Sequence, residues 1–435
     1  MAGPGERGRL VLLVLVSWFF YAVWSLPLTS LILISGTVDY FAGRSLERSE
    51  EQRKRRLVLA LSLATNLGLL GYFKYSNFFI ENVNAITGGS YKNLIEVVLP
   101  PGISFYTFQT MSYTIDVYRR KLPAERSWWR FLLYVSFFPQ LVAGPIVRAR
   151  DFLPQLTVPR RLGDTHLRAA LLLFLYGFVK KTCIADNFGI LADQVFAAPE
   201  AYGVLAHWLA IGLYSIQIYG DFSGYSDMAI ATAALLGYQL PLNFNFPYLA
   251  RSLSGVWRRW HISLSGWFRD YLYVPLGGSR AGRGRVCFNL LVTFTVSGLW
   301  HGASWNFVLW GFLTGVVVVL EFLTGWNHED RRSAAGIVVT HWLWVMLLVI
   351  FRTADLPAAG TFLSGLYGLG TTGTGQLASA VPWLVIGWFA FHVAMSRGRI
   401  QARLQSLPPA AFAVVYGVLV ALALPWAPAT FRPFI

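Results

Sequence analysis

The sequence predicts an all-α protein that crosses a membrane many times, with roughly 10–12 transmembrane or re-entrant helices. Three observations lead there. Of 435 residues, 55% are hydrophobic, 16% aromatic and only 13% charged, where a soluble domain carries about 25% charged residues. The apolar residues also come in long runs, many close to the ~20 residues a helix needs to cross a bilayer. Finally, the excess of 36 Lys and Arg over 21 Asp and Glu sits between those runs, not on one face. Hydrocarbon offers no partner to open backbone groups, so the runs must be helical.

The runs fall near residues 10–34, 57–80, 94–118, 129–147, 167–190, 204–220, 227–240, 286–300, 302–323, 335–351, 381–396 and 410–426. Arg7 and Arg9 precede the first, as in a signal peptide, but a signal's apolar stretch is only about 7–15 residues. A retained helix or helix pair is expected. The short basic segments are Arg53-Lys54-Arg55-Arg56, Arg119-Arg120-Lys121, Arg160-Arg161, Lys180-Lys181, Arg280 to Arg285 and Arg397 to Arg403. This distribution matches the positive-inside rule for cytoplasmic loops; membrane lipid, not nucleic acid, is the partner it implies. No repeat or linker divides the chain, so a single domain over residues 1–435 is expected, with its chemical motifs within 99–310.

Three segments interrupt the apolar pattern. Leu99-Pro100-Pro101-Gly102-Ile103-Ser104 breaks one run at its start. Gly220-Asp221-Phe222-Ser223-Gly224-Tyr225-Ser226-Asp227 sets two carboxylates between apolar stretches. Residues 256–278 are too charged to cross lipid and too aromatic to float free. Polar backbone at membrane depth survives only where protein or a water-filled cavity surrounds it. These segments are therefore expected to line an internal chamber.

Candidate chemistry centres on two of seven histidines. His166, His207, His328, His341 and His392 lie in loop-like sequence, at segment ends or isolated among apolar residues, where structural roles are expected. His301 is embedded in Ser297-Gly298-Leu299-Trp300-His301-Gly302-Ala303-Ser304-Trp305 between two apolar runs. An ionisable residue inside a span is by default a functional candidate; a core histidine bonded to a carbonyl is the alternative. His261 lies in the polar segment. If 256–273 is one helix, Arg258, His261, Ser265 and Arg269 share a face that suits a headgroup, a phosphate or a cofactor. Trp257, Trp260 and Trp267 equally fit an interfacial anchor. Asp116, Asp221 and Asp227 are read singly as ion-pair partners, able to orient an imidazole or to pair with Arg258, Arg259 or Arg269.

Cys183 and Cys287 make neither a disulfide framework nor a metal cluster, and read as small buried hydrophobes. No phosphate loop, nucleophile elbow or zinc-protease motif is present, and neither a metal nor a bound cofactor is expected. What remains is a histidine acting as general base on an oxygen nucleophile, a task suited to an imidazole near neutrality.

Two long blocks, residues 257–278 (WRRWHISLSGWFRDYLYVPLGG) and 298–305 (GLWHGASW), resemble the membrane-bound O-acyltransferase family. The likeness is to its bacterial branch of alginate O-acetyltransferases and teichoic acid D-alanyl transfer proteins. Residues 99–109 (LPPGISFYTFQ), 138–146 (FPQLVAGPI) and 221–228 (DFSGYSDM) support it. The resemblance spans about residues 20–355 in matching order. It implies helices around a central tunnel, with His301 at the family's principal histidine and His261 at its second. It further implies an activated donor used from the cytoplasmic side, acetyl-CoA or an acyl-carrier thioester. The acceptor would be a hydroxyl of a surface polysaccharide or of a periplasmic esterase-like relay protein, across a bacterial inner membrane. His301 would take the hydroxyl proton. His261, Trp260, Arg258 and Asp221 would shape the donor site or assist proton handling, with Ser265, Arg269 and Trp300 beside the substrate. The family pattern departs at Val256, where relatives tend to carry Phe. A transporter or flippase with the same intramembrane His, Asp and Arg residues is the rival reading; paired breaks in two halves would favour it, and no such symmetry is visible.

Overall fold

The computed structural model describes residues 4–92, 98–158, 166–280, 282–326, 335–369 and 373–427, with side chains described from Gly8 onward. Arg160-Arg161 and His328 lie outside these residues. The described chain is helix and turn, and its nearest approach to a strand is an isolated bridge between Tyr202 and Gly375. Its Cα positions group into two compact units, residues 1–165 with 233–241 and residues 166–232 with 242–435.

The first unit opens with the expected helix pair, α1 (Pro4–Ala22) and α2 (Leu26–Arg48). Next come α3 (Gln52–Leu70), continued through a π-helical turn into α4 (Ser76–Thr87), then α5 (Ile103–Tyr118) and α6 (Trp128–Ser136). The Pro-Pro-Gly break falls where expected: Gly102, at φ +72°, precedes the first residue of α5. Buried polar side chains join α2, α3 and α5. Asp39 accepts from Ser62, from Asn66 Nδ2 at 2.7 Å and from Thr114 Oγ1 at 3.1 Å, and Ser35 donates to Asn66 Oδ1 at 2.7 Å. Interhelical hydrogen bonds of this kind hold helices together where lipid removes the hydrophobic driving force. Arg55, one of the residues assigned from sequence to a basic loop, is instead buried. It donates to the carbonyls of Leu46, Ser49 and Tyr118 at the ends of α2 and α5, where a cation satisfies orphan carbonyls and the helix dipole. Its neighbours Arg53, Lys54 and Arg56 are exposed.

The second unit begins with α7 (Leu167–Phe178), a π-helical stretch Val179–Ala185, and α8 (Asp186–Ala197). Then α9 (Val204–Leu235) runs 32 residues without interruption. Both observations correct the sequence reading. Lys180 and Lys181 are not in a loop: they are buried and point at α9. Lys180 Nζ lies 2.7 Å from Asp227 and 2.9 Å from Ser223, while Lys181 Nζ lies 2.7 Å from Asp221 and 2.8 Å from Asp186. The carboxylates expected to break the helix are neutralised from the neighbouring element, so α9 has no reason to unwind. Gly220 and Gly224 permit that approach; a Cβ would stand 2.9 Å from Lys180 O and 2.8 Å from Lys181 N, respectively.

After a loop at 242–246 come α10 (Leu253–Trp257), α11 (Ile262–Phe268), a π-helical turn at 269–273, α12 (Arg283–His301) and α13 (Trp305–Thr324). The expected single helix over 256–273 is therefore broken at 258–261, where His261 takes φ +45°. α12 and α13 form a tight hairpin. A Cβ on Gly298 would stand 2.9 Å from the Cα of Gly311, and the reverse holds for Gly311. α14 (Ala335–Arg352), α15 (Leu356–Tyr367), α16 (Val381–Ser396), α17 (Arg399–Gln405) and α18 (Pro409–Ala423) complete the unit.

Among the described residues, five helical stretches are long and apolar enough to cross a membrane: Leu26–Arg48, Gln52–Thr87, Trp305–Thr324, Ala335–Arg352 and Pro409–Trp426. Gly8–Ala22 and Val381–Ser396 are shorter apolar helices. Of the other apolar runs, 129–147 is broken after Ser136, and 167–190 and 204–240 carry buried charge. The protein is a multi-pass membrane protein.

Candidate active site

His301 is the last residue of α12, and Gly302 turns the chain into extended backbone before α13. The half-buried His301 ring is packed edge-on against Trp300, Trp310 and Phe351, at centroid distances of 4.9, 5.2 and 5.4 Å. Such edge-to-face contacts fix ring orientation. The α12–α13 turn is held by Ser304, whose hydroxyl caps α13 at the Asn306 amide, and by Asn306, whose side-chain amide donates to Thr353 O at 2.9 Å.

His261 enters the same region from the break between α10 and α11. Its ring is 1% exposed and lies 4.5 Å from Phe222 and 6.0 Å from Trp300. Trp300 therefore touches both imidazoles. Trp260 packs against Trp344 at 5.0 Å and Phe244 at 5.2 Å. His261 lies outside the spanning segments, and burial, followed by the nearby His301 ring, holds its imidazole well below the ordinary value. A neutral imidazole is the form that can accept a proton.

The segment carrying His261 is anchored by a residue not singled out from sequence. Glu321, buried on α13, accepts from the backbone amides of Leu253 at 2.6 Å and Ser254 at 2.8 Å, and from the Ser254 hydroxyl at 2.6 Å. Its carboxylate thus satisfies the N-terminus of α10, the helix that leads into the break at His261. Glu321→Gln replaces one acceptor oxygen by an amide that faces donors, and a hydrogen bond to a charged group contributes about 1.5–3 kcal/mol. The expected result is a lower thermal midpoint in detergent and acyl transfer reduced about tenfold or more at equal membrane abundance. An unchanged rate would reject this anchoring role. The sequence signal was a single carboxylate in the apolar run 302–323.

The remaining sequence candidates divide. His301, His261, Trp300 and Trp260 are brought together. Asp221 is paired with Lys181, while its neighbour Phe222 supplies the contact to His261. Ser265 is half-buried on α11, so the expected shared face with Arg258 and Arg269 is lost with the helix break. Arg258 is exposed, and Arg269 is exposed with its Nε 2.9 Å from Asp270. Trp310, Phe351 and Asn243 complete the surroundings and were not picked out from sequence.

The arrangement places two imidazoles, one deeply buried and one half-buried at a helix end, around one indole. This suits proton transfer to and from a hydroxyl. Comparison with known proteins points to acyl transfer. The profile of the membrane-bound O-acyltransferase family matches residues 120–352. The chain is 39% identical over 383 residues to the probable alginate O-acetylase AlgI of Pseudomonas aeruginosa, covering 86% of this chain and 73% of the relative. It is 35% identical over 389 residues to the peptidoglycan O-acetyltransferase of Helicobacter pylori, covering 82% and 73%. It is 29% identical over 273 residues to the teichoic acid D-alanyltransferase of Streptococcus thermophilus, covering 58% and 65%. These relatives are named for acyl transfer, and the transporter reading is set aside.

Proposed function

Because this chain belongs to the membrane-bound O-acyltransferase family and is an O-acyltransferase of the membrane, we propose that it carries an acetyl group from a cytoplasmic thioester to a hydroxyl of a cell-surface polysaccharide. The thioester is acetyl-CoA or an acyl carrier, and the hydroxyl belongs to the polymer itself or to a periplasmic relay protein. The membrane is the bacterial inner membrane. The observation that carries this reading is the pairing of His301 and His261 around Trp300.

In this mechanism His301 accepts the hydroxyl proton as the oxygen attacks the thioester carbonyl carbon. The tetrahedral intermediate then collapses, the carbon–sulfur bond breaks, and the departing thiolate takes a proton from the imidazolium. One ester forms, one thioester is lost, and the base returns neutral. His261 assists proton handling, with Trp260 and Trp300 walling the reacting groups. Arg258 and Arg269, each exposed, suit the phosphates of a donor.

The test is the O-acetyl content of surface polysaccharide in cells lacking the gene. These cells are complemented with the wild-type gene or left empty, and acetyl transfer from labelled acetyl-CoA is followed in their membranes. Restored acetate and labelled polymer are expected. A complemented strain whose polymer gains no acetate, from membranes that contain the protein, would sink the assignment of acetyl group and acceptor.

A further inference from the structure

We propose that Asn243 is a positioning residue that fixes the tautomer of His261, leaving Nε2 as the proton-accepting nitrogen. The inference rests on the catalytic reading of His261 given above and adds the residue that sets its chemistry.

The backbone amide of Ser263 lies 3.3 Å from one side-chain atom of Asn243, and a backbone N–H only donates. That atom must therefore be the carbonyl oxygen Oδ1, which settles the amide orientation. The Ser263 hydroxyl donates to the same oxygen at 2.8 Å, and on the other side Asn243 Nδ2 donates to Ser226 Oγ at 3.1 Å. His261 Nδ1 also faces Oδ1, at 3.2 Å. An oxygen acceptor demands N–H at Nδ1, and in a neutral imidazole the lone pair is then on Nε2.

The backbone holds the pair in register. Ile262 N donates to Asn243 O at 3.0 Å, and Asn245 N donates to Arg259 O at 2.8 Å, so the loop at 243–245 is bonded to both flanks of His261. Both Asn243 and His261 are buried, at 0% and 1% exposed. His261 and Phe246 each sit at φ +45°, a conformation that residues with a Cβ rarely adopt. Strain of this kind persists where the surroundings over-determine it and clusters at functional sites. Asn243 thus does for His261 what a carboxylate does for the histidine of a hydrolase triad, without adding a charge that would favour the imidazolium.

The experiment compares Asn243→Ala, Asn243→Asp, Ser226→Ala and His261→Ala with wild type. All are assayed in membranes at equal abundance for kcat and donor KM, with thermal midpoints measured alongside. His261→Ala is expected to lose about 100-fold or more. Asn243→Ala is expected to lower kcat at least about tenfold, short of the roughly 10⁴ seen when a triad histidine takes the wrong tautomer, with donor KM within about threefold. Asn243→Asp keeps an oxygen toward Nδ1–H, and the Ser226 hydroxyl turns to donate, so it should recover most of that kcat. Ser226→Ala should stay near wild type. If His261→Ala is inactive while Asn243→Ala keeps the wild-type kcat, the positioning role is wrong and the role of His261 stands. Equal losses in Asn243→Ala, Asn243→Asp and Ser226→Ala that follow a falling thermal midpoint would show a packing role and overturn the inference. If His261→Ala keeps wild-type activity, the underlying reading fails first and the inference with it.

Discussion

Membranes carrying His301→Ala are expected to transfer acyl groups at least about 100-fold more slowly than wild type, because a positioned general base contributes roughly 10²–10⁴. The fold should survive the change. The ring is half-buried at the end of α12; of its packing partners, Phe351 also packs against Trp310 and Phe307, and Trp300 also faces His261. Abundance and thermal midpoint in detergent should therefore remain close to wild type while the rate collapses. His301→Gln, which fills much of the same space and offers hydrogen bonds but cannot act as a base, should be as slow as the alanine variant. A glutamine variant with wild-type turnover would remove His301 from the chemistry.

The second large effect concerns stability. Lys180 is 2% exposed, its ammonium 2.7 Å from Asp227 and 2.9 Å from Ser223, and it lies 4.4 Å over the Tyr176 ring. Lys180→Met leaves the Asp227 carboxylate buried with its counter-ion gone, and Asp227→Leu strands the ammonium. Breaking a buried pair from one side costs about 3–5 kcal/mol, so either single variant should reach the membrane in much reduced folded amount, with a clearly lowered thermal midpoint. Replacing both partners with apolar residues removes the stranded charge, and the double variant is expected to recover much of the loss. Single variants as stable as wild type would mean that this pair does not hold α9 against the π-helical stretch. Activity should follow stability here, since α9 carries Phe222 onto His261.

The class of the protein was legible before any coordinates because it depends on quantities that add along the chain. Run length, apolar fraction and the spacing of basic residues decide whether a segment can lie in hydrocarbon, and those sums need no knowledge of neighbours. His301 and His261 were legible for a related reason: an ionisable residue amid apolar sequence is costly and stands out locally. The break at Pro100-Pro101-Gly102 was readable too, since proline and glycine act on their own backbone.

What only the tertiary structure decided is pairing. Lys180 and Lys181 look like a loop's surface charge until α9 is placed beside them, because the sign of a charge is local but their counter-ions on α9, Asp227 and Asp221, are far along the chain. The same distance hid Glu321, whose partners at Leu253 and Ser254 come from another element. Asn243 too reads as an ordinary loop residue until Ser263 and His261 converge on its oxygen. The helix expected over 256–273 failed for the same reason. Its periodicity was helical, but the bonds that His261 and its flanks make to the loop at 243–245 outweigh one more turn of helix, and they put the imidazole beside Trp300 and His301 instead of on a face with Arg258 and Arg269.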